Sequence, residues 1–252
     1  MDTLFKTLAI LGALAWLPQI ITLIKNIFIK PNLKIIPSNQ LEIGFTSFGP
    51  IINTNIAIVA ENKKALVDNI EIELTHESNE KQIFKWQWFE ETLYVVDLPD
   101  QSGTLPTRKN QTAIALNITK DELIEKKIGF QQYKFKKKHK TLLQNAIEES
   151  LNFENAGKDI KELKATKNYN DLKKLYQDDF NWKVGRYSIK YKVFENSLKN
   201  PFVCEVFFKM TSLDINSLKL NIENCASEIE RVLIDPDKQY PRWNWTNIII
   251  ED

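Results

Sequence analysis

The chain has 252 residues, 43% of them hydrophobic, which is enough apolar material for a sizeable core and excludes a wholly disordered protein. Its 34 basic and 33 acidic residues leave a formal charge of +1, so no global field argues for nucleic acid or an anionic surface. Two cysteines, Cys204 and Cys225, make no CxxC pair and no disulfide framework, and with only His76 and His139 beside them a zinc site is not expected.

From Thr7 to Ile24 the chain reads TLAILGALAWLPQIITLI, 18 residues without a charge. A helix of that length reaches about 27 Å at about 1.5 Å per residue, close to the thickness of a bilayer's hydrocarbon layer. This predicts a single-pass transmembrane anchor within residues 1–30. Leu8, Ile10, Leu11, Leu14, Trp16, Leu17, Ile20, Ile21, Leu23 and Ile24 would then meet the lipid bilayer. A cleaved signal peptide competes, because Lys6 precedes the apolar run and Ala13-Leu14-Ala15 resembles a cleavage site. Strongly apolar sequence continuing past that point favours the anchor. Lys6 stands alone before the segment while Lys25, Lys30 and Lys34 follow it, which places the globular part in the cytoplasm.

Residues 31–252 are expected to form one soluble domain. Period-two alternation begins after Pro31: Leu41 to Phe45, Asn55 to Ala60, Asn69 to Thr75 and Ile83 to Phe89 all read as strands. Ile56 and Ile58 on one strand, with Phe84, Trp86 and Trp88 on another, are expected to share the core. Several short strands at this spacing predict an antiparallel, immunoglobulin-like β-sandwich, although the Cys…Trp…Cys spacing of true immunoglobulin domains is absent. Leu98 to Asn110 reads as a loop, with two prolines and a glycine, and Ala113 to Ile118 as a further strand.

Residues from about 119 to 181 read as a helical insertion. Thr119 and Glu122 make a capping-box pattern ahead of a short helix, and Thr141 to Leu151 and Tyr169 to Phe180 carry apolar residues at helical spacing. Strands return with Tyr187, Ile189, Tyr191 and Val193, then Phe202, Cys204, Val206, Phe208 and Met210, as inward faces. Ile215, Leu218, Ile222, Cys225, Ile229 and Val232 mark a C-terminal amphipathic helix before Asp235-Pro236. The expected fold class is therefore an N-terminal transmembrane helix joined to a mainly-β (α+β) sandwich with a helical insertion.

No motif names a reaction. With seven glycines, neither GxGxxG nor GxxxxGK[ST] occurs, and adjacent acids such as Glu90-Glu91 or Asp178-Asp179 point in different directions. His76 ends a strand and His139 lies in a lysine run, so both read as solvated or turn histidines; the cysteines read as core thiols. No catalytic, metal-binding or cofactor-binding residue is assigned, no cofactor is expected, and the protein reads as non-enzymatic.

Charge is unevenly spread. Lys126 to Lys192 holds 17 basic against 8 acidic residues, whereas Lys30 to Asp100 holds 6 against 11. The run YKFKKKHK supplies Lys134, Lys136, Lys137, Lys138 and Lys140, which read as a solvated surface, a contact for an anionic leaflet, or a nucleic-acid contact. At the C-terminus Tyr240, Trp243 and Trp245 either pack on the domain or form an interface. The expected function is a membrane-anchored interaction or scaffold module that binds a protein partner, or its own copies, at the membrane surface. The alternative is a sensor or effector, in a stress or defence setting, whose basic insertion takes nucleic acid or a nucleotide.

Overall fold

The structure, a computed structural model, describes residues 14–24, 29–97 and 104–251. The described residues form ten strands: β1 (Leu33–Thr46), β2 (Gly49–Ala60), β3 (Ala65–His76), β4 (Lys81–Asp97), β5 (Thr104–Thr112), β6 (Leu116–Ile118), β7 (Leu123–Gln132), β8 (Gly185–Glu195), β9 (Phe202–Met210) and β10 (Trp245–Glu251). They form one antiparallel sheet in the order β5-β4-β7-β2-β1-β10-β9-β8-β3-β6. The β3–β4 hairpin, which pairs Glu71 to Thr75 with Lys81 to Lys85, joins the two arms of that order and closes eight strands into a barrel. β5 and β6 lie outside, β5 on the outer stretch of β4 and β6 on the start of β3.

The immunoglobulin-like sandwich is thus corrected to a closed barrel. Alternation alone cannot separate the two, since each inward face repeats every second residue in both. What decides is pairing: β4 bonds to β3 on one edge and to β7 on the other, so among the described residues no second sheet with edges of its own exists. The interior is filled by alternate residues, among them Ile43, Ile52, Ile56, Ile72, Phe84, Phe130, Ile189 and Tyr191, all buried.

The transmembrane anchor is also corrected. The described N-terminal helix, α1, covers residues 14–24 and reaches about 16 Å at 1.5 Å per residue. Among the described residues no helix is long and apolar enough to cross a membrane. Leu14, Trp16, Leu17, Ile20, Ile21, Leu23 and Ile24 lie exposed on α1. Leu8, Ile10 and Leu11 fall outside the described residues. The chain enters the barrel at Leu33, which pairs with Ala60 at one end.

The remaining helices gather at the opposite end: α2 (Tyr133–Asn155), α3 (Lys167–Asp178), α4 (Ser212–Lys219) and α5 (Asn221–Leu233), with a 3-10 turn at Ile160–Ala165. α2 leaves the end of β7, beside Phe84 at the start of β4, while α3 precedes and α4 follows the paired ends of β8 and β9. Phe45 is the centre of the closure, with edge-on contacts to Phe135, Tyr176 and Phe180 at centroid distances of 6.2, 6.3 and 5.1 Å. Trp182 stacks on Phe84 and donates its indole N–H to the carbonyl of Gly44 at 3.2 Å.

Three local expectations change. Thr119 to Glu122 opens no helix; Leu123 to Gln132 is a strand hydrogen-bonded on both edges, to β2 and β4, and ladder pairing outweighs the local capping signal. The expected loop after Asp97 resolves from Thr104 onward into β5, zipped to the outer part of β4. The single C-terminal amphipathic helix is two, divided at Leu220, with Thr211 and Asp214 closing a capping box on α4.

Candidate functional site

Part of the sequence-level imbalance of charge cancels in space. Lys81 and Lys192 meet Glu73, Lys85 meets Glu71, Arg108 meets Glu90, Lys126 meets Glu91 and Lys190 meets Glu205 between neighbouring strands, and Lys127 on β7 reaches across β2 to Glu42 on β1. Cross-strand side chains are close enough to pair, and at Lys126, Lys127 and Lys192 an acid of the Lys30–Asp100 stretch answers a base of the Lys126–Lys192 stretch.

In the lysine run such pairing is sparse. Lys138 is held by both carboxylate oxygens of Asp179, at 3.0 and 2.9 Å. Lys136 donates to the amide oxygen of Gln87, a neutral partner that leaves its charge uncompensated. Lys134, Lys137 and Lys140 make no ion pair among the described residues, and all five lysines sit in the first two turns of α2. No acid occupies the first turn, and the helix dipole there already repels cations, so this concentration of charge works against the helix that carries it.

Against these turns lies a groove of about 410 Å³ whose walls include Trp88, Gln87, Gln131, Ile51, Phe48, Lys136, His139 and Lys140. A β-bulge builds it. The pairing of β4 with β7 slips between Trp86 and Trp88, so Trp86 opposes Phe130 inside the barrel while Trp88 opposes Gly129 on the outside. Phe89, not Trp88, then takes the next buried position. One inserted residue reverses every side chain beyond it, so of the expected core face Phe84 and Trp86 stay buried and Trp88 is turned out. The extra residue, Gln87, is pinned through its amide nitrogen to the carbonyl of Trp86 at 2.7 Å. The indole lies down on Gly129, where any Cβ would drive into the ring. Phe48 projects from the β1–β2 turn at 59% exposure, and its carbonyl accepts from Gln131 at 2.6 Å.

His139 sits between this groove and a smaller pocket of about 160 Å³ that also reaches Tyr176, Glu228 and Val232. It is half-buried. Its ring stacks on Phe135 at 5.7 Å, and its Nε2 lies 2.8 Å from the Tyr176 hydroxyl. That hydroxyl donates its one proton to the carbonyl of Ser47 at 2.9 Å, so the network assigns the Nε2 proton to His139, which donates to the phenol oxygen. Burial pushes the His139 pKa down and keeps the ring neutral near pH 7. A signal for this existed in the sequence: Phe135, His139, Leu142, Leu143 and Ala146 follow one helical stripe.

The other residues singled out from sequence do not join the groove. His76 caps the β3–β4 turn, with Nδ1 2.8 Å from Ser78 Oγ and Nε2 3.2 Å from the carbonyl of Val184. Cys225 is buried and Cys204 half-buried, both as free thiols, and burial pushes both thiol pKa values up. Among the described residues no group of three or more His, Cys, Asp or Glu could hold a metal ion. Trp245 lies over Gly44 and Trp243 packs against the core, while Tyr240 is exposed with the Arg231 guanidinium 4.0 Å over its ring. The lysine run and Leu33 stand at opposite ends of a barrel whose 11-residue strand β8 extends about 36 Å at 3.3 Å per residue. Even with the strands tilted as barrels require, that separation is several Debye lengths at physiological salt.

No protein-family model matches the sequence, and neither does any curated protein sequence. Among solved structures the chain is similar, at 10% identity and a TM-score of 0.35, to a family 123 glycoside hydrolase from Clostridium perfringens that acts on glycolipid glycans. The likeness covers 73% of this chain but 27% of that one, so this chain spans about a quarter of the hydrolase. It bears on neither fold nor activity.

Proposed function

We propose that the protein is a non-enzymatic interaction module whose working surface is the first two turns of α2 and the barrel wall facing them, and that its partner there is an anion. The observation that carries this is the contrast in charge pairing: most strand lysines are matched by glutamates, whereas Lys134, Lys136, Lys137 and Lys140 have no acidic partner among the described residues. Charge left unpaired where the helix dipole opposes it costs stability, which supports a binding role for it. The position of the run at the end opposite Leu33 supports a soluble anion over a leaflet met by the N-terminal segment.

The test is binding of inorganic tripolyphosphate to the intact chain, followed by calorimetry at about 50 and 200 mM salt. Binding should weaken as salt rises and fall at least tenfold when Lys134, Lys137 and Lys140 become Glu together. Tripolyphosphate binding that ignores both changes sinks the reading.

A second reading concerns the other end. Seven large apolar side chains of α1 lie exposed with no face covered, which supports a hydrophobic partner there, in the form of a second copy or a protein surface. Leu17→Lys together with Ile21→Lys should then abolish self-association in sedimentation velocity; an unchanged distribution removes it.

A further inference from the structure

We infer that the groove beside α2 takes a nucleotide, with its base against Trp88 and its phosphates on Lys136 and Lys140. This rests on the anion-binding reading above and adds the identity of the ligand. Three features converge on it. The bulge at Gln87 turns an indole out of the barrel, and Gly129 beneath lets the ring lie flat on the sheet, so its broad face is set into the groove wall. A flat aromatic platform of this kind accepts any nucleobase, since every base has a π-face. Ile51 beneath and the exposed Phe48 at the rim extend the apolar surface on which a base would rest.

Lys136 and Lys140 stand one turn apart on the same side of α2, which puts their Cβ atoms about 5–6 Å apart and lets their ammonium groups bracket one phosphate group or two. Lys136 is already drawn toward the sheet by the Gln87 amide, which holds the charge at the groove without neutralising it. Polar groups with spare hydrogen-bonding capacity ring the apolar floor: Gln87, Gln131 and the neutral His139. The cavity of about 410 Å³ falls within the range of small-ligand sites. A fatty acid would match the apolar floor and the lysines but not the amides, and Phe48, His139 and Leu143 stand between the groove and the smaller pocket where a long chain would continue.

The experiment compares AMP, ATP, inorganic tripolyphosphate and palmitate by calorimetry against the intact chain. ATP should bind at least tenfold more tightly than tripolyphosphate, the difference being the stacked base. Trp88→Leu should lower ATP affinity about tenfold, to the level of tripolyphosphate, and Trp88→Phe should restore part of the loss. Lys136→Gln with Lys140→Gln, both solvent-facing changes that leave the fold intact, should weaken ATP at least tenfold. Equal binding of ATP and tripolyphosphate, or ATP binding indifferent to Trp88→Leu and to the lysine pair, overturns the nucleotide assignment while the anion reading stands. Palmitate binding more tightly than ATP also overturns it. Failure of every phosphate ligand to bind sinks both readings.

Discussion

His139 shows how one residue is taken out of solvent by what surrounds it. The groups that face it are Lys136 and Lys140 on its own helix, Tyr176 on α3 and Glu228 on α5, and desolvation is what holds its folded pKa below 6.5. The unfolded chain therefore binds a proton near pH 6.5 while the folded chain resists it. Above pH 6.5 both states are neutral and His139 adds no pH dependence. As pH falls from 6.5 toward the lowered folded value the protein loses stability, and below that value the loss levels off. The expected outcome is a melting temperature that declines through this window in the wild type and declines less in His139→Gln; urea or thermal melts at several pH values check it. Gly129 and Trp88 make the same point from the sterics: neither is exceptional in sequence, and only the slipped register puts one on top of the other.

At the scale of the element, α2 sets local stability against binding. Its first two turns carry five lysines and no acid, and Gln132 at the N-cap makes no side-chain cap bond, its amide nitrogen donating instead to Gln82 Oε1 at 2.8 Å. Reversing one charge, Lys134→Glu, should stabilise the helix terminus by about 0.3–1 kcal/mol. For a domain of this size that is a rise in melting temperature of the order of 1–4 °C. The same variant should bind tripolyphosphate more weakly. A substitution that raises stability and lowers anion affinity together marks charge retained for binding; a Lys134→Glu protein less stable than the wild type contradicts the dipole argument.

For the whole molecule the barrel's strength is uneven around its circumference. β1 pairs with β2 along eleven registered positions and β8 with β9 along nine, but β10 meets β9 only at Ile250–Phe208 and Glu251–Phe207. Inward residues beside this seam, Ile35, Phe202, Cys204 and Val206, are only half-buried, while their counterparts Ile189, Tyr191 and Val193 on β8 are fully covered. Fewer ladder bonds and thinner apolar cover lower the free energy of local opening. Native-state hydrogen exchange should find the amides of Val203 to Val206 and of Ile249 to Glu251 opening at lower free energy than those of β2 and β8. Uniform protection around the barrel would show that the seam does not weaken it.

How much of this was legible in the sequence depends on range. Alternation along β3, β8 and β9 could be read directly, because a strand's inward face repeats every second residue whatever sheet it joins. The aromatic stripe on α2 was likewise present in the order of residues. Closure of the barrel, the bulge that turns Trp88 outward, the burial of His139 and the pairing of early glutamates with late lysines were not. Each depends on which strand lies beside which, across separations as long as the 119 residues between Glu73 and Lys192. Local sequence determined the alternation of most strands and where lysines concentrate. Only the tertiary structure decided that one lysine run stays uncompensated beside an exposed aromatic groove, because pairing energies act between neighbours in space and not along the chain.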